Sequence, residues 1–222
     1  MNNTDHVESF QFKIKRALIR IARKTRSLFI RNRVSEMRPE WQSRKGLVDL
    51  INKLNRKDMV VVEIGSYRGE SAEIFLGTGK VAKIYCVDPW KPSYDLDDGA
   101  AYTDMRKVES DFDRRHAANP HVIKVKGTID TFIERFRDNP DVIDKIDVIY
   151  IDGLHTYEGV HHDIEMALTC IKPRLAIAGH DYYFESGRAA WPGVVQAVEE
   201  LIGIPDMTFD DGSWLKAVGQ VA

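Results

Sequence analysis

Three apolar runs of this 222-residue chain stop on acids: Val81–Val87 on Asp88, Ile146–Ile151 on Asp152, and Leu175–Ala178 on Gly179-His180-Asp181. A fourth run, Met59–Ile64, contains Glu63 and opens into Gly65-Ser66-Tyr67-Arg68-Gly69. Carboxylates grouped with an imidazole suit a hard divalent ion such as Mg²⁺ or Mn²⁺. Asp152 and Asp181 are the expected ligands, with His180 beside them. His155 is the candidate general base, because imidazole titrates near neutrality. The alternative is that His155 packs against its loop or touches a cofactor. His161 and His162 follow on a helix and read as surface residues.

Glu63-x-Gly65-x-x-x-Gly69 is not the dinucleotide G-x-G-x-x-G fingerprint. The glycines permit a tight turn and close approach of backbone to a ligand. An acid two residues before the first glycine accepts from a cationic ligand and repels a pyrophosphate. S-adenosylmethionine, with its ammonium and sulfonium, has the right sign. Asp88 lies 23 residues beyond Gly65, near the roughly 20 expected of a carboxylate that grips ribose hydroxyls. Trp90, after Pro89, has the chemistry to stack on adenine. The plain alternative makes the glycines turn residues and Asp88 a strand-end cap.

The elements that must position these groups are legible. Short apolar runs at 59–64, 81–87, 122–125, 146–151 and 175–178 read as buried strands of a parallel sheet, with two late strands at 206–210 and 213–218. Helices are expected at 41–54, 71–76, 104–117, 129–136, 159–171 and 194–202, and a loop at 91–103. The alternation predicts an α/β, Rossmann-like doubly wound, mainly parallel seven-stranded sheet. Ligands of such sheets bind beyond the carboxyl ends of the strands. The domain is expected over 41–222.

Residues 1–40 form a separate helical extension in this reading. Phe10, Ile14, Ala17, Leu18, Ile21 and Leu28 recur at helical spacing within 7–31. Residues 1–35 carry nine Lys and Arg against Asp5 and Glu8, while the whole chain has a net charge of −2. Packing or homodimerisation is the favoured role, and contact with an anionic membrane surface the alternative. The apolar positions argue against a nucleic-acid partner. Two cysteines, Cys86 and Cys170, in apolar stretches read as free buried thiols. With no 18-residue apolar run and no signal-like start, a cytoplasmic protein is expected, peripheral to the membrane in the alternative reading.

Four stretches together resemble class I S-adenosylmethionine-dependent methyltransferases. They are Val61 to Ser71, Tyr85-Cys86-Val87-Asp88-Pro89-Trp90, Tyr150 to Val160 (containing Asp152-Gly153-Leu154-His155-Thr156-Tyr157-Glu158-Gly159), and Ala178-Gly179-His180-Asp181-Tyr182. The nearest subgroup is the small-molecule O-methyltransferase type that includes macrocin O-methyltransferases and cephalosporin-hydroxylase-like relatives. The resemblance implies that Glu63, Gly65, Ser66, Tyr67, Gly69 and Ser71 form the methionine side. Asp88 would hold the ribose, Thr128 would lie near the adenine, and Pro89 and Asp152 would also touch the cofactor, Asp152 with a catalytic part as well. A divalent ion at the ends of the 146–151 and 175–178 strands would acidify an acceptor hydroxyl. The acceptor would be a small molecule, a sugar or glycosylated metabolite among the options. Residues 91–119 and 181–191 would form the substrate side. Tyr182, Tyr183, Phe184 and Trp191 could cover a sugar or aryl face, with packing equally open to each. Two departures stand out: Tyr67 replaces the middle glycine of the wider loop pattern, and Lys172-Pro173-Arg174-Leu175 lacks the usual glycine pair. The rivals are an NAD-dependent sugar-modifying enzyme and a non-catalytic binding protein. No tyrosine here is followed by lysine four residues later, which weighs against the short-chain NAD branch.

Overall fold

Seven strands form one sheet in the order β3-β2-β1-β4-β5-β7-β6. The computed structural model describes residues 44–95, 98, 102–183 and 191–219. The helix expected at 7–31 lies outside them, as does Phe184. Strand β1 (Met59–Ile64) is central, with β2 (Val81–Asp88) and β4 (Val148–Ile151) parallel on either side. Strands β3 (Val122–Lys126) and β5 (Ala176–Gly179) extend the parallel set, and β7 (Trp214–Ala217) and β6 (Met207–Thr208) close it antiparallel. This is the mainly parallel doubly wound sheet that the alternation of elements implied. The sixth strand is only two residues long, shorter than 206–210 suggested.

Both faces of a parallel sheet are covered, which is why β1 and β4 are buried almost throughout. On one face Tyr85 meets Phe132 of α4 (Ile129–Phe136) edge-on at 5.5 Å. The same face takes α6 (Tyr157–Met166) and α7 (Pro192–Ile202), which pack on each other. On the other, Phe75 of α2 (Glu70–Gly77) meets Tyr150 at 5.1 Å. Helix α1 (Lys45–Lys53) packs against α2 through its buried stripe of Leu47, Leu50 and Ile51. Helix α3 (Met105–His116) is capped by Asp104 Oδ1 on the Arg106 amide. A short α5 (Pro140–Ile143), not foreseen from periodicity, starts on a proline.

Helix α6 continues as a π-helical turn at Ala167–Ile171 and stops at Lys172, whose φ is +56°. Lys172 thus takes the left-handed stop conformation that glycine usually supplies. No helix among the described residues is long and apolar enough to cross a membrane. Cys86 is buried as expected, but Cys170 is exposed, because it falls on the outer side of the π-turn.

At the amino end of the sheet Asp147 is 1% exposed. Its Oδ2 accepts from the Val60 amide at 2.9 Å, and its Oδ1 pairs with Arg174 at 2.8 Å. Asp147→Ala is expected to cost about 2–3 kcal/mol, since it strands a buried amide and a guanidinium. Urea unfolding would show this, with ligand binding by the folded fraction unchanged, because Asp147 is at the end of the sheet away from the cavity.

Candidate active site

The carboxyl ends of the strands are aligned by register: Ile64 pairs with Val87 and Ile151, and Ile151 with Gly179. Backbone bonds continue past the strands. The Gly65 amide donates to Val87 O at 2.8 Å, Asp152 to Ile64 O at 2.8 Å, Gly127 to Asp88 O at 2.9 Å and His180 to Ile151 O at 3.1 Å. Acids that follow each strand therefore meet on one rim. There a cavity of about 380 Å³ opens. Its wall includes Gly65, Ser66, Tyr67, Ser71, Asp88, Pro89, Thr128 and Asp152 among the residues expected to hold a cofactor.

The loop is shaped by its backbone. Gly65 has φ +90°, and a Cβ there would stand 2.0 Å from the Asp152 carbonyl oxygen. Gly69, at φ +79°, is the N-cap of α2, and a Cβ there would meet His116 at 2.3 Å. Tyr67 has φ +46°, so it occupies the left-handed position where a glycine would sit without strain. Asp88 holds this arrangement: its Oδ2 accepts from the Tyr67 amide at 2.8 Å and its Oδ1 from the Trp90 amide at 2.6 Å. Burial raises the Asp88 pKa, and those two amides oppose the rise.

Three expected cofactor residues do not line the cavity. Trp90 has φ +43°, which turns its ring inward. It is 3% exposed, packs 5.0 Å from Phe112, and donates its indole N–H to Tyr67 O at 2.8 Å. It braces the loop from behind and leaves no face for adenine. Gly69 acts through the turn into α2. Glu63 is fully buried on the α2 side of the sheet, in register with Cys86 and Tyr150. Burial pushes its carboxyl up to about 7. Ser71 and Ser66 approach and oppose that rise, but neither reaches hydrogen-bond geometry. Glu63 stands behind the wall that Ser66 and Ser71 form.

The second group lies at the β4 and β5 tips. Asp152, His155 and Asp181 each present a donor atom, all within 4.8 Å of one another. His180, the expected third ligand, has Nδ1 3.1 Å from Asp181 and 3.9 Å from Asp152. His155 stands with the two carboxylates as a further candidate donor. Its Nε2 lies 3.0 Å from Asp181 Oδ2 and its Nδ1 2.7 Å from Asp95 Oδ2. Trp191 stacks on it at 4.8 Å. Asp181 has φ +64°, a left-handed turn that Asp tolerates better than most residues.

Charge in this group is balanced internally. Burial opposes charging of His155 and His180, yet Asp181 and Asp152 outweigh it and raise both to about 9. Burial likewise opposes ionisation of Asp181, but its hydrogen bonds to the two imidazoles hold it well below the usual range. Burial raises Asp152, while His180 and Arg44 oppose the rise. Arg44 reaches Asp152 Oδ2 at 3.5 Å from the start of α1.

Arg44, Asp95 and Asp163 also line the cavity and were not anticipated. Nothing in the spacing of Arg44 or Asp95 marks them. Asp163 was detectable, since it interrupts the apolar stripe of Val160, Ile164 and Ala167. His162 is exposed and pairs with Asp130 at 2.9 Å, consistent with a surface residue. Of the aromatics considered for a substrate face, Trp191 lines the cavity. Tyr182 is buried, and its hydroxyl donates to Glu199 at 2.6 Å, so it packs.

Residues 62–182 match a family described as a methyltransferase domain. No curated protein matches the chain. Among solved structures, a putative caffeoyl-CoA O-methyltransferase from Staphylococcus aureus is 15% identical, with a TM-score of 0.52, covering 92% of this chain and 99% of that one. An O-methyltransferase from Bacillus cereus, in complex with SAH, is 16% identical with a TM-score of 0.51, covering 88% and 90%. CalS11, a TDP-rhamnose 3'-O-methyltransferase of calicheamicin biosynthesis, is 17% identical with a TM-score of 0.51, covering 82% of each chain. These likenesses carry the fold; the family match spans more than half the chain, and with it the chain belongs to the S-adenosylmethionine-dependent methyltransferases of the methyltransferase-domain family.

Proposed function

We propose that the protein transfers the methyl group of S-adenosylmethionine to a hydroxyl oxygen of a small molecule, with a divalent cation such as Mg²⁺ at the rim. A sugar or glycosylated metabolite is the acceptor class this reading favours. The observation that carries it is the meeting of two half-sites in one cavity: the glycine loop with Asp88, and the Asp152, His155 and Asp181 cluster. The donor set fits a hard ion, with two carboxylates and an imidazole whose atoms already converge. Glycine at 65 lets the loop pack directly on the Asp152 carbonyl, and Ser66, Tyr67 and Ser71 line the cavity beside it.

S-adenosylmethionine supplies an electrophilic methyl group, and a divalent ion at the rim supplies Lewis acidity toward an acceptor hydroxyl. The chain contributes alignment and a place for the proton. In this reading Asp88 grips the ribose hydroxyls, and Ser66, Tyr67 and Ser71 hold the methionine end. Tyr67, Asp88 and Trp90 lock one another, so the loop is set before ligand arrives. His155 Nε2, once deprotonated, is either the acceptor of the hydroxyl proton or the third metal donor. His155→Gln separates these: a lost base slows transfer with Mg²⁺ affinity kept, and a lost ligand lowers that affinity.

Calorimetry with S-adenosylmethionine, S-adenosylhomocysteine and NAD, with and without Mg²⁺, tests the reading. The sulfur ligands are expected to bind and NAD not; the reverse refutes it. His155 and His180 are held protonated below about 9 as counter-charges of Asp181 and Asp152. When those carboxylates gain a cation instead, the imidazoles release protons. Mg²⁺ binding at pH 7.5 is expected to release about one to two protons, and affinity to rise toward pH 9 by up to ~10-fold per pH unit for each proton released. Titrations in buffers of different ionisation enthalpy measure this. Heats that do not depend on the buffer would show that the imidazoles are not coupled to the metal.

A further inference from the structure

Asp152 has two kinds of counter-charge. The imidazole of His180 lies 3.9 Å from it, and the guanidinium of Arg44 lies 3.5 Å from its Oδ2. A divalent cation arriving at the rim displaces them differently. An imidazole steps aside by giving up a proton, which a guanidinium cannot do. Arg44 keeps its charge and has to turn away from Asp152 when a cation takes that carboxylate.

The surroundings permit that movement. Arg44 is the N-cap of α1, and its backbone is anchored: the Gly46 amide donates to Asp211 Oδ2 at 2.7 Å, and Leu47, Leu50 and Ile51 are buried. The side chain is not anchored. It is 39% exposed, and among the described residues its guanidinium makes the long charge contact with Asp152 and no hydrogen bond. Burial opposes its charge, and Asp152, Tyr150, Glu63 and Glu70 outweigh burial. A planar fork of donors with its hydrogen bonds unmade suits a carboxylate, which it can take two-pronged. Arg44 lines the cavity with Ser66, Glu70 and Ser71. This is the side where the function proposed above places the amino-acid end of the cofactor, and that end carries a carboxylate.

We propose that Arg44 is an exchangeable counter-ion that couples the two half-sites, neutralising Asp152 until a divalent cation replaces it and then pairing with the carboxylate of the cofactor. Cofactor draws Arg44 off Asp152 and leaves that carboxylate to the cation, and the cation repels Arg44 toward the cofactor. Each ligand then raises the affinity for the other by the same factor. This rests on the S-adenosylmethionine and divalent-cation reading.

The test is calorimetric titration of MgCl₂ into the full chain, alone and saturated with S-adenosylhomocysteine or with methylthioadenosine, which lacks the amino-acid end. S-adenosylhomocysteine is expected to tighten Mg²⁺ binding ~10-fold, and methylthioadenosine by less than ~2-fold. In Arg44→Gln, Mg²⁺ alone binds ~3- to 30-fold tighter than in the full chain, because the competing charge is gone, and S-adenosylhomocysteine changes it by less than ~2-fold. Arg44→Lys keeps the charge, and with it the weaker Mg²⁺ binding and part of the coupling. If Arg44→Gln does not fold, Arg44→Leu makes the same comparison. Mg²⁺ binding no tighter in the Gln or Leu variant, or coupling that survives there, overturns the assignment of Arg44 alone. So does a full chain that binds both ligands independently. A full chain that binds no S-adenosylhomocysteine overturns the cofactor reading, one that binds no Mg²⁺ overturns the metal reading, and either takes this inference with it.

Discussion

Asp152→Asn is expected to cut methyl transfer by about 1,000-fold or more, and Asp181→Asn by a similar factor. The magnitude follows from chemistry assigned to the rim. Several kcal/mol of charge stabilisation is typical of a Lewis-acid site, and each 1.36 kcal/mol is a factor of ten. Asn keeps the shape but not the charge. Asp152 faces Arg44 at 3.5 Å and His180 at 3.9 Å, and Asp181 faces both imidazoles. Removing either carboxylate leaves the cluster with surplus positive charge, which repels a divalent cation. The measurement is the rate against Mg²⁺ concentration, with circular dichroism to show the fold retained. A variant with the parental Mg²⁺ dependence would sink the metal assignment, and a variant with full activity would sink the proposed role of the rim.

Gly65→Ala is the second large effect. Its Cβ would meet the Asp152 carbonyl oxygen at 2.0 Å, and φ is +90°. Neither atom can yield cheaply, because the Asp152 amide is bonded to Ile64 O and the Gly65 amide to Val87 O. The loop has to leave the rim. Cofactor affinity is expected to fall more than ~100-fold, and stability by about 2–4 kcal/mol. Gly79→Ala is the control. Gly79 also has positive φ, +67°, but nothing stands within 4 Å of its Cβ. It should cost about 1 kcal/mol and leave binding untouched. Equal affinities for the parent and Gly65→Ala would show that ligand does not use this loop.

The sheet was legible because buried parallel strands must be apolar on both faces, and few other structures produce runs like Val60-Val61-Val62. The rim was legible because acids following those runs share one end of the sheet. Direction within the rim was not. Trp90 follows Asp88 closely, but a left-handed backbone turns it into the core. Glu63 belongs to a run buried on both faces, so the pattern hides which face it takes. His155 and His180 both come within 3.1 Å of Asp181, and spacing alone does not say which imidazole joins the two carboxylates. Arg44 and Asp95 arrive from remote segments with no spacing signal. Asp163 did carry one, a charge where α6 needed an apolar residue.

The register of β1 has a consequence in time. Ile64 pairs with Val87, close along the chain, but also with Ile151, which is far along it. The parallel β1–α2–β2 unit is therefore local, while the junction of Gly65 with Asp152 requires a long loop to close. Such distant pairings are slow steps in folding. The glycine loop and its Asp88 lock can assemble from one stretch of chain, whereas the complete cavity waits for β4 and β5 to dock. Ligand capture during refolding thus reports completion of the whole parallel sheet, and a fragment ending before β4 would carry the loop without the site.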